Sequence, residues 1–177
     1  GTFSSDGSFN SISIGKGASS NTGNTVVGES ALDAVTTGTN NTAVGKEALT
    51  DLTTGTENNA FGSLALASNT TGGKNNAFGK QSLEDNTTGS NNTAIGHDTL
   101  RDNTTASDNT AVGKAALAAN TTGTQNTALG ANAGNAQTTV DNCTWVGNDA
   151  GLVNTASNNT GVGAGSLRAN TTGTRNT

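Results

Sequence analysis

Two residues of this sequence, His97 and Cys143, have side chains that often carry chemistry, and each is the only one of its type. A nucleophilic cysteine needs a neighbouring histidine or cation that lowers its pKa, and the sequence places no such partner beside Cys143. His97 follows Gly96 at a position that carries glutamate, lysine or serine in other repeats, which is typical of a solvated surface row. Neither residue therefore predicts a catalytic site, and we interpret Cys143 as a buried substitute for asparagine.

Three further patterns resemble functional motifs only in part. Glu84 and Asp85 are paired carboxylates, but neighbouring residues of a strand or turn point apart, so the pair does not predict acid–base catalysis. The segment Gly161–Gly165 lacks the lysine and the serine or threonine of a phosphate-binding loop. Asp108, Asp141 and Asp149 do not form the calcium-binding nonapeptide repeat of secreted solenoids. We therefore expect no catalytic residue, no metal site, no cofactor and no enzymatic activity.

The composition excludes several classes of protein. Thr, Asn and Gly make up nearly half of the 177 residues, hydrophobic residues make up 30% and charged residues 12%, and proline is absent. Large apolar side chains are too few for a conventional globular enzyme core, and charges are too few for a disordered acidic or basic tail. No apolar stretch is long enough to span a membrane. The 8 basic residues are scattered, so we expect no nucleic-acid partner.

The sequence repeats with a period of 17 residues, close to the consensus N-N-T-A-V-G-x-x-A-L-x-x-N-T-T-G-x. Each repeat contains a tripeptide such as Ala-Val-Gly, and its glycine forms the first glycine column. A second glycine column follows ten residues later. The ninth member of the first column comes one residue early. The glycines of this column are Gly28, Gly45, Gly62, Gly79, Gly96, Gly113, Gly130, Gly147 and Gly163.

A unit of this length, with two glycines and an Asn-Thr-Thr turn, does not suit a helical repeat. It suits one coil of a parallel β-solenoid, in which equivalent positions stack about 4.8 Å apart and form asparagine and threonine ladders. We predict an all-β protein, with residues 1–10 as an N-terminal cap or linker containing Phe3 and Phe9. Residues 11–177 then form a solenoid of about ten coils, with 17-residue repeats from about residue 24 and a length of roughly 50 Å. Because the sequence stops within a repeat, we expect it to be a fragment, a processed piece or the ordered part of a longer chain.

Two apolar columns are predicted to fill the lumen of the coil. One precedes the first glycine of each repeat and is always large, and the other is the leucine four residues after that glycine. Gly134 and Gly151 replace the leucine in two coils, where we expect the lumen to be narrower or filled by Leu152 and Val153. The predicted lumen residues are Val27, Val44, Phe61, Phe78, Ile95, Val112, Leu129, Val146, Val162, Leu32, Leu49, Leu66, Leu83, Leu100, Leu117 and Leu167.

The column two residues before the glycine consists mainly of alanine. Adjacent side chains of a strand point to opposite faces, so this column should point outward if the large apolar column points inward. One interpretation is a surface of small residues without a binding partner. The other is close packing against the same column of neighbouring chains around a symmetry axis. The predicted inter-chain contacts are Ala43, Ala60, Ala77, Ala94, Ala111, Ala128 and Trp145, although the tryptophan is too large for a tight axis unless the coil shifts.

The Asn-Thr-Thr-Gly turn places an asparagine at a corner of the coil, where its side chain can bond the local backbone and its copy in the next coil. The same repeat also creates N-x-T glycosylation sequons, which are weak evidence for a sugar because the repeat generates them. These sequons begin at Asn40, Asn69, Asn86, Asn91, Asn103, Asn120, Asn142, Asn158 and Asn170.

Two segments resemble repeats of known fibre proteins. Residues 11–19, S-I-S-I-G-K-G-A-S, resemble the S-x-A-I-G-x-x-A repeats of trimeric autotransporter adhesin heads. Residues 41–49, N-T-A-V-G-K-E-A-L, resemble the N-T-A-V-G-x-x-A-L-x-x-N-T-T-G arrays of phage tail-fibre and related surface-fibre proteins. Together these resemblances cover about residues 9–177, and the 17-residue unit departs from the adhesin pattern. They imply a left-handed β-roll, a homotrimer and a role in fibres or adhesion.

We therefore expect a shaft or head segment of a trimeric extracellular fibre, on a virion or a bacterial surface, that supports host attachment through a glycan or protein receptor. Two alternatives remain open. One is a self-assembling filament subunit with end-to-end pairing of exposed coils. The other is an ice-binding or glycan-binding solenoid that uses a threonine row, Thr54, Thr71, Thr88, Thr105, Thr122 and Thr139.

Overall fold

The computed structural model describes residues 7–9, 12–19 and 21–177. Over these ranges it has strands, turns and bends and no helix, so the all-β prediction is confirmed. Residues 1–6, 10, 11 and 20, which include most of the predicted cap with Phe3, lie outside the described residues. The strands are β1 (Gly7–Phe9), β2 (Ile12–Gly15), β3 (Thr25–Gly28), β4 (Thr42–Val44), β5 (Asn59–Phe61), β6 (Asn76–Phe78), β7 (Thr93–Ile95), β8 (Thr110–Val112), β9 (Thr127–Leu129), β10 (Thr144–Val146) and β11 (Thr160–Val162).

All eleven strands form one sheet in sequence order. Strands β3 to β11 are parallel, with Thr42 opposite Asn59 and Ala43 opposite Ala60, so each residue pairs with its equivalent one repeat later. This is a β-solenoid of about 8 turns with about 17 residues per turn, as the period predicts. The expected number of coils was about ten; the difference arises because β1 and β2 pair antiparallel, and β2 also pairs antiparallel with β3.

Strands β2 to β11 are short because a glycine ends each one. Gly62 has φ 143°, and a Cβ atom at this position would overlap the carbonyl of Gly79 in the next coil. Only glycine allows two backbones to approach so closely at this corner. The chain therefore turns immediately after the three residues that pair.

The leucine column occupies the next corner in an unusual conformation. Leu49 and Leu66 have φ 52° and 53°, in the left-handed region that costs a residue with a Cβ atom roughly 1 kcal/mol. Both side chains are nonetheless completely buried. Burial of a leucine contributes about 2 kcal/mol, so it offsets the backbone cost and keeps the corner in place.

The structure reverses the two faces of the strand that the sequence predicted. In strands β4 to β11 the middle residue is buried and its two neighbours are not, so the alanine column and Trp145 line the lumen of a single chain. The prediction that this column packs between chains is therefore wrong for Ala43, Ala60, Ala77, Ala94, Ala111, Ala128 and Trp145.

The large apolar column correspondingly lies on the outside. A coil that closes within 17 residues has a narrow lumen, and the leucines of the far corner and the buried asparagines already occupy it. Beside them the lumen takes an alanine in most coils and a valine, Val26, in β3, and the larger column faces outward. The lumen prediction holds for Leu32, Leu49, Leu66, Leu83, Leu100 and Leu117, and Leu167 packs partly buried against them; it is wrong for Val27, Val44, Phe61, Phe78, Ile95, Val112, Leu129, Val146 and Val162.

Buried asparagines connect successive coils through hydrogen bonds. Asn75 donates from Nδ2 to the Oδ1 atom of Asn58 at 3.1 Å and to the carbonyl of Gly89 at 2.8 Å. Its own Oδ1 atom accepts from the backbone and side-chain nitrogens of Asn92 at 3.0 and 3.2 Å. We call this row the strand ladder: Asn24, Asn41, Asn58, Asn75, Asn92, Asn109 and Asn126.

A second row, the corner ladder, runs along the Asn-Thr-Thr-Gly turns. Asn86 donates to the Oδ1 atom of Asn69 at 2.9 Å, and Asn103 donates to that of Asn86 at 2.7 Å. Each also donates to the carbonyl three residues further along the chain. The two ladders thus satisfy polar groups that would otherwise be costly to bury. The corner ladder consists of Asn69, Asn86, Asn103 and Asn120.

Replacing Asn75 by alanine should destabilise the protein, because the buried backbone N–H of Asn92 then loses its partner and the carboxamides of Asn58 and Asn92 each lose one hydrogen bond. We expect the free energy of unfolding to fall by about 3 kcal/mol in chemical denaturation. Thr71→Ala is the control, since this exposed side chain is in neither ladder. Equal denaturation midpoints for the two variants would show that the ladder does not stabilise the coil.

Candidate interaction surface

A continuous row of large apolar side chains lies on the outer face of the sheet. Its members stand opposite one another in register from strand to strand, about 4.8 Å apart, and the row extends over ten strands or roughly 40 Å. Exposure ranges up to 70% at Val162, and Val44, Val112 and Val146 are half-buried. This outer stripe consists of Ile14, Val27, Val44, Phe61, Phe78, Ile95, Val112, Leu129, Val146 and Val162.

Two aromatic rings form the middle of the outer stripe. The rings of Phe61 and Phe78 stack with centroids 4.8 Å apart and an interplanar angle of 7°. They remain 37% and 40% exposed despite this contact. Stacking along the rod covers the ring faces and directs their edges outward, so the pair presents a ridge rather than a flat platform.

Ile14 shows that the outer stripe does not depend on the 17-residue repeat. It lies in β2, which runs in the opposite direction to the coils, yet it stands opposite Val27 and is 52% exposed. Ile12 lies two residues away on the same face and is 42% exposed. A segment outside the repeat array therefore extends the apolar row by one more strand.

Polar residues border the outer stripe on both sides. On one side lies the first residue of strands β3 to β11, which is Thr or Asn; there Asn59 donates to Asn76 at 2.9 Å. On the other side lie Lys46, Lys80 and Lys114, two coils apart and all exposed. The apolar row is thus one residue wide between polar margins, as expected for the core and rim of an interface.

The charged groups beside the outer stripe form few close pairs. The ammonium of Lys46 lies 3.8 Å from Glu29 and 3.5 Å from Glu47. His97 Nδ1 lies 2.7 Å from an oxygen of Asp98, with the imidazole half exposed. His97 therefore belongs to a surface row, in keeping with its place in the repeat.

A second regular surface lies at the Asn-Thr-Thr corner. The first threonine of each turn, such as Thr70, donates its hydroxyl to the backbone of the next coil, at 3.0 Å from the carbonyl of Thr87. The second threonine is exposed in every regular coil, as Thr71 and Thr88 are. The row predicted from sequence is therefore on the surface: Thr54, Thr71, Thr88, Thr105, Thr122 and Thr139.

The structure divides the glycosylation sequons into two groups. The four asparagines of the corner ladder are completely buried and hydrogen-bonded, so in the folded coil they are not accessible to an enzyme. Asn170 is half-buried. The exposed sequon asparagines are Asn40, Asn91, Asn142 and Asn158.

The candidate chemical groups are not brought together. Cys143 occupies the strand ladder, buried among neighbouring coils, and burial raises the pKa of its thiol, which disfavours the nucleophilic thiolate. Glu84 accepts a hydrogen bond from Gln81 at 2.8 Å. Over the described ranges, no three His, Cys, Asp or Glu residues gather as metal ligands, and no helix has the length and apolarity to cross a membrane.

Comparison of the chain with family models, curated proteins and solved structures finds no match in any of the three.

Neighbouring positions of one strand should respond in opposite ways to leucine. Ala77→Leu inserts three carbon atoms into the lumen, and such overpacking costs about 2 kcal/mol of unfolding free energy. Phe78→Leu changes an outward side chain and should change the free energy by less than about 1 kcal/mol. Thermal denaturation of both variants measures the difference. The reverse order would mean that Phe78, and not Ala77, lies in the lumen.

Proposed function

We propose that this chain is a rigid structural segment of a trimeric extracellular fibre, a shaft or head of a phage tail fibre or a bacterial surface adhesin. The observation that carries the proposal is the outer stripe, which is apolar on nine successive parallel strands, β3 to β11, and continues into β2. A long exposed apolar row between polar margins is typical of a surface that binds another protein.

The partner that best fits the outer stripe is a second copy of this chain. Successive residues of the outer stripe are one coil apart. A second copy that lies parallel to the first therefore presents its own stripe residues at the same spacing over the whole length. A narrow ridge is also better covered in a trimer than in a dimer. Around a three-fold axis each ridge contacts two others, whereas a two-fold axis leaves one flank of the ridge exposed.

The repeat array suits a mechanical role. Each coil contacts its neighbours through backbone bonds, and the middle coils add two asparagine ladders, so stability accumulates along the rod. Within this proposal the chain is not an enzyme. It holds a binding tip for a host glycan or protein receptor away from the base, and it lies outside the cell or on the virion.

Light scattering after size exclusion tests the trimer. We expect a mass of about three times the 17.3 kDa chain at micromolar concentration. Phe61→Ser combined with Phe78→Ser should give the single-chain mass with an unchanged far-UV spectrum, because the serines weaken the interface and leave the lumen intact. The control, Thr71→Ser with Thr88→Ser, should remain trimeric. A wild-type protein of single-chain mass contradicts the trimer, and long fibres in negative stain would indicate filament assembly.

The exposed threonine row supports a second candidate, an ice-binding or glycan-binding solenoid. Its hydroxyls repeat at the coil spacing on a corner away from the outer stripe. If the row binds ice, the wild type shows thermal hysteresis and Thr88→Tyr removes most of it, while Phe78→Ser does not. If it binds a glycan, the wild type and Phe78→Ser give a signal in a glycan array and Thr88→Tyr loses most of it. Absence of both signals excludes this candidate.

A further inference from the structure

The regular packing of the rod fails in one place. Within the described residues, every buried side-chain nitrogen or oxygen atom without a hydrogen-bond partner lies between residues 120 and 166. The atoms are Oδ1 of Asn120, Nε2 and Oε1 of Gln137, Nε1 of Trp145 and Oγ of Ser166. We call this region, residues 120–166, the seam.

Gln137 interrupts the corner ladder. It occupies the position that follows Asn120 by one repeat, where an asparagine would donate to Asn120 Oδ1 and to the carbonyl of Val140. The longer side chain does neither, and its amide nitrogen lies instead beside the Cβ position that Gly134 lacks. In the next coil after Gln137, Asn154 donates to the carbonyl of Ala156 at 2.6 Å and not to the side chain of Gln137. The ladder is therefore broken both before and after Gln137.

The residues that fill the apolar lumen also differ in this region from those of the regular coils. Trp145 replaces an alanine, and Gly134 and Gly151 replace the leucines of two coils. A Cβ atom at Gly151 would overlap the indole ring, and one at Gly134 would come within 2.8 Å of Trp145 Cδ1. The indole thus fills the space of two leucines, and neither Leu152 nor Val153, which is 43% exposed, fills it as the sequence suggested.

The two changes place unpaired polar atoms around the indole. The amide nitrogen of Gln137 and Cδ1 of Trp145 both lie next to the same Gly134 position, and Ser166 Oγ lies with the indole beside Gly161. Unpaired polar groups in the protein interior are costly, and opening the coil to water removes that cost. In the regular coils, opening instead breaks satisfied ladder bonds.

We propose that the seam is a built-in weak point, at which the solenoid opens before the coils that precede it. Stability in a repeat protein is close to a sum of contacts between neighbours, so the weakest contact between coils determines where the array first separates. The coils of residues 42–119 stay closed while those around Gln137 and Trp145 admit water. The inference does not depend on whether the chains form trimers.

Trp145 is the single tryptophan of the chain and reports on the seam directly. During heating, its emission should shift to longer wavelength with a midpoint about 5 °C below that of the far-UV circular dichroism, which follows the whole sheet. Amides of residues 134–151 should exchange with deuterium at least about tenfold faster than those of residues 76–96 at the same temperature.

Two variants separate a weak seam from ordinary unfolding. Gln137→Asn restores a donor to Asn120 Oδ1, so the fluorescence midpoint should rise to that of the dichroism. Asn86→Gln makes the same break within the regular ladder; it should accelerate exchange of residues 76–96 and leave the Trp145 midpoint unchanged. Coincident fluorescence and dichroism transitions in the wild type, with uniform exchange along the rod, would overturn the proposal. So would a Gln137→Asn variant whose fluorescence midpoint does not move.

Discussion

The hydrogen bonds that buried asparagines make from coil to coil are the interaction on which the rest of this structure depends. A carboxamide at the same place in successive regular coils both donates and accepts, so each one satisfies its neighbour only if the next coil has the same length and register. The ladders occupy part of the lumen with polar groups and leave a thin apolar strip. That strip holds an alanine and a leucine in each regular coil, a valine at Val26 in β3, and a tryptophan only where leucines are given up, at Trp145.

The narrow lumen explains why the large apolar residues are outside. A globular core would bury a phenylalanine before an alanine, but here the alanine fits beside the ladders and the phenylalanine does not. Phe61 and Phe78 are left on the surface with their neighbours, in a straight row. The same restriction that makes the coil compact therefore creates the surface that we propose brings chains together.

Much of the fold could be predicted from the sequence, because the 17-residue period, the glycine corners and the asparagine turns each follow from local geometry. The leucine column was also correct, since Leu49 and its copies are the largest residues of their corner. The orientation of the strand could not be read from hydrophobicity alone: Ala43 and Val44 alternate, and which of them faces inward depends on the width of the lumen. The membership of Ile14 in the outer stripe was missed because this residue lies outside the repeat and in a reversed strand. The alternation of isoleucine with serine in residues 11–14 was nevertheless visible in the sequence.

The coil that ends at Gly163 is one residue shorter than the others, yet β10 and β11 pair in full register. The missing residue belongs to the exposed threonine row: Thr155 donates to Thr171, as the first threonine of a regular turn does, and Asn158 still donates its N–H to the carbonyl of Asp141. The corner between them absorbs a change in length that the strands and ladders do not tolerate. The tip of this turn is accordingly where the rod accommodates a loop of another length while the strands on either side keep their register, in a coil whose corner ladder is already interrupted.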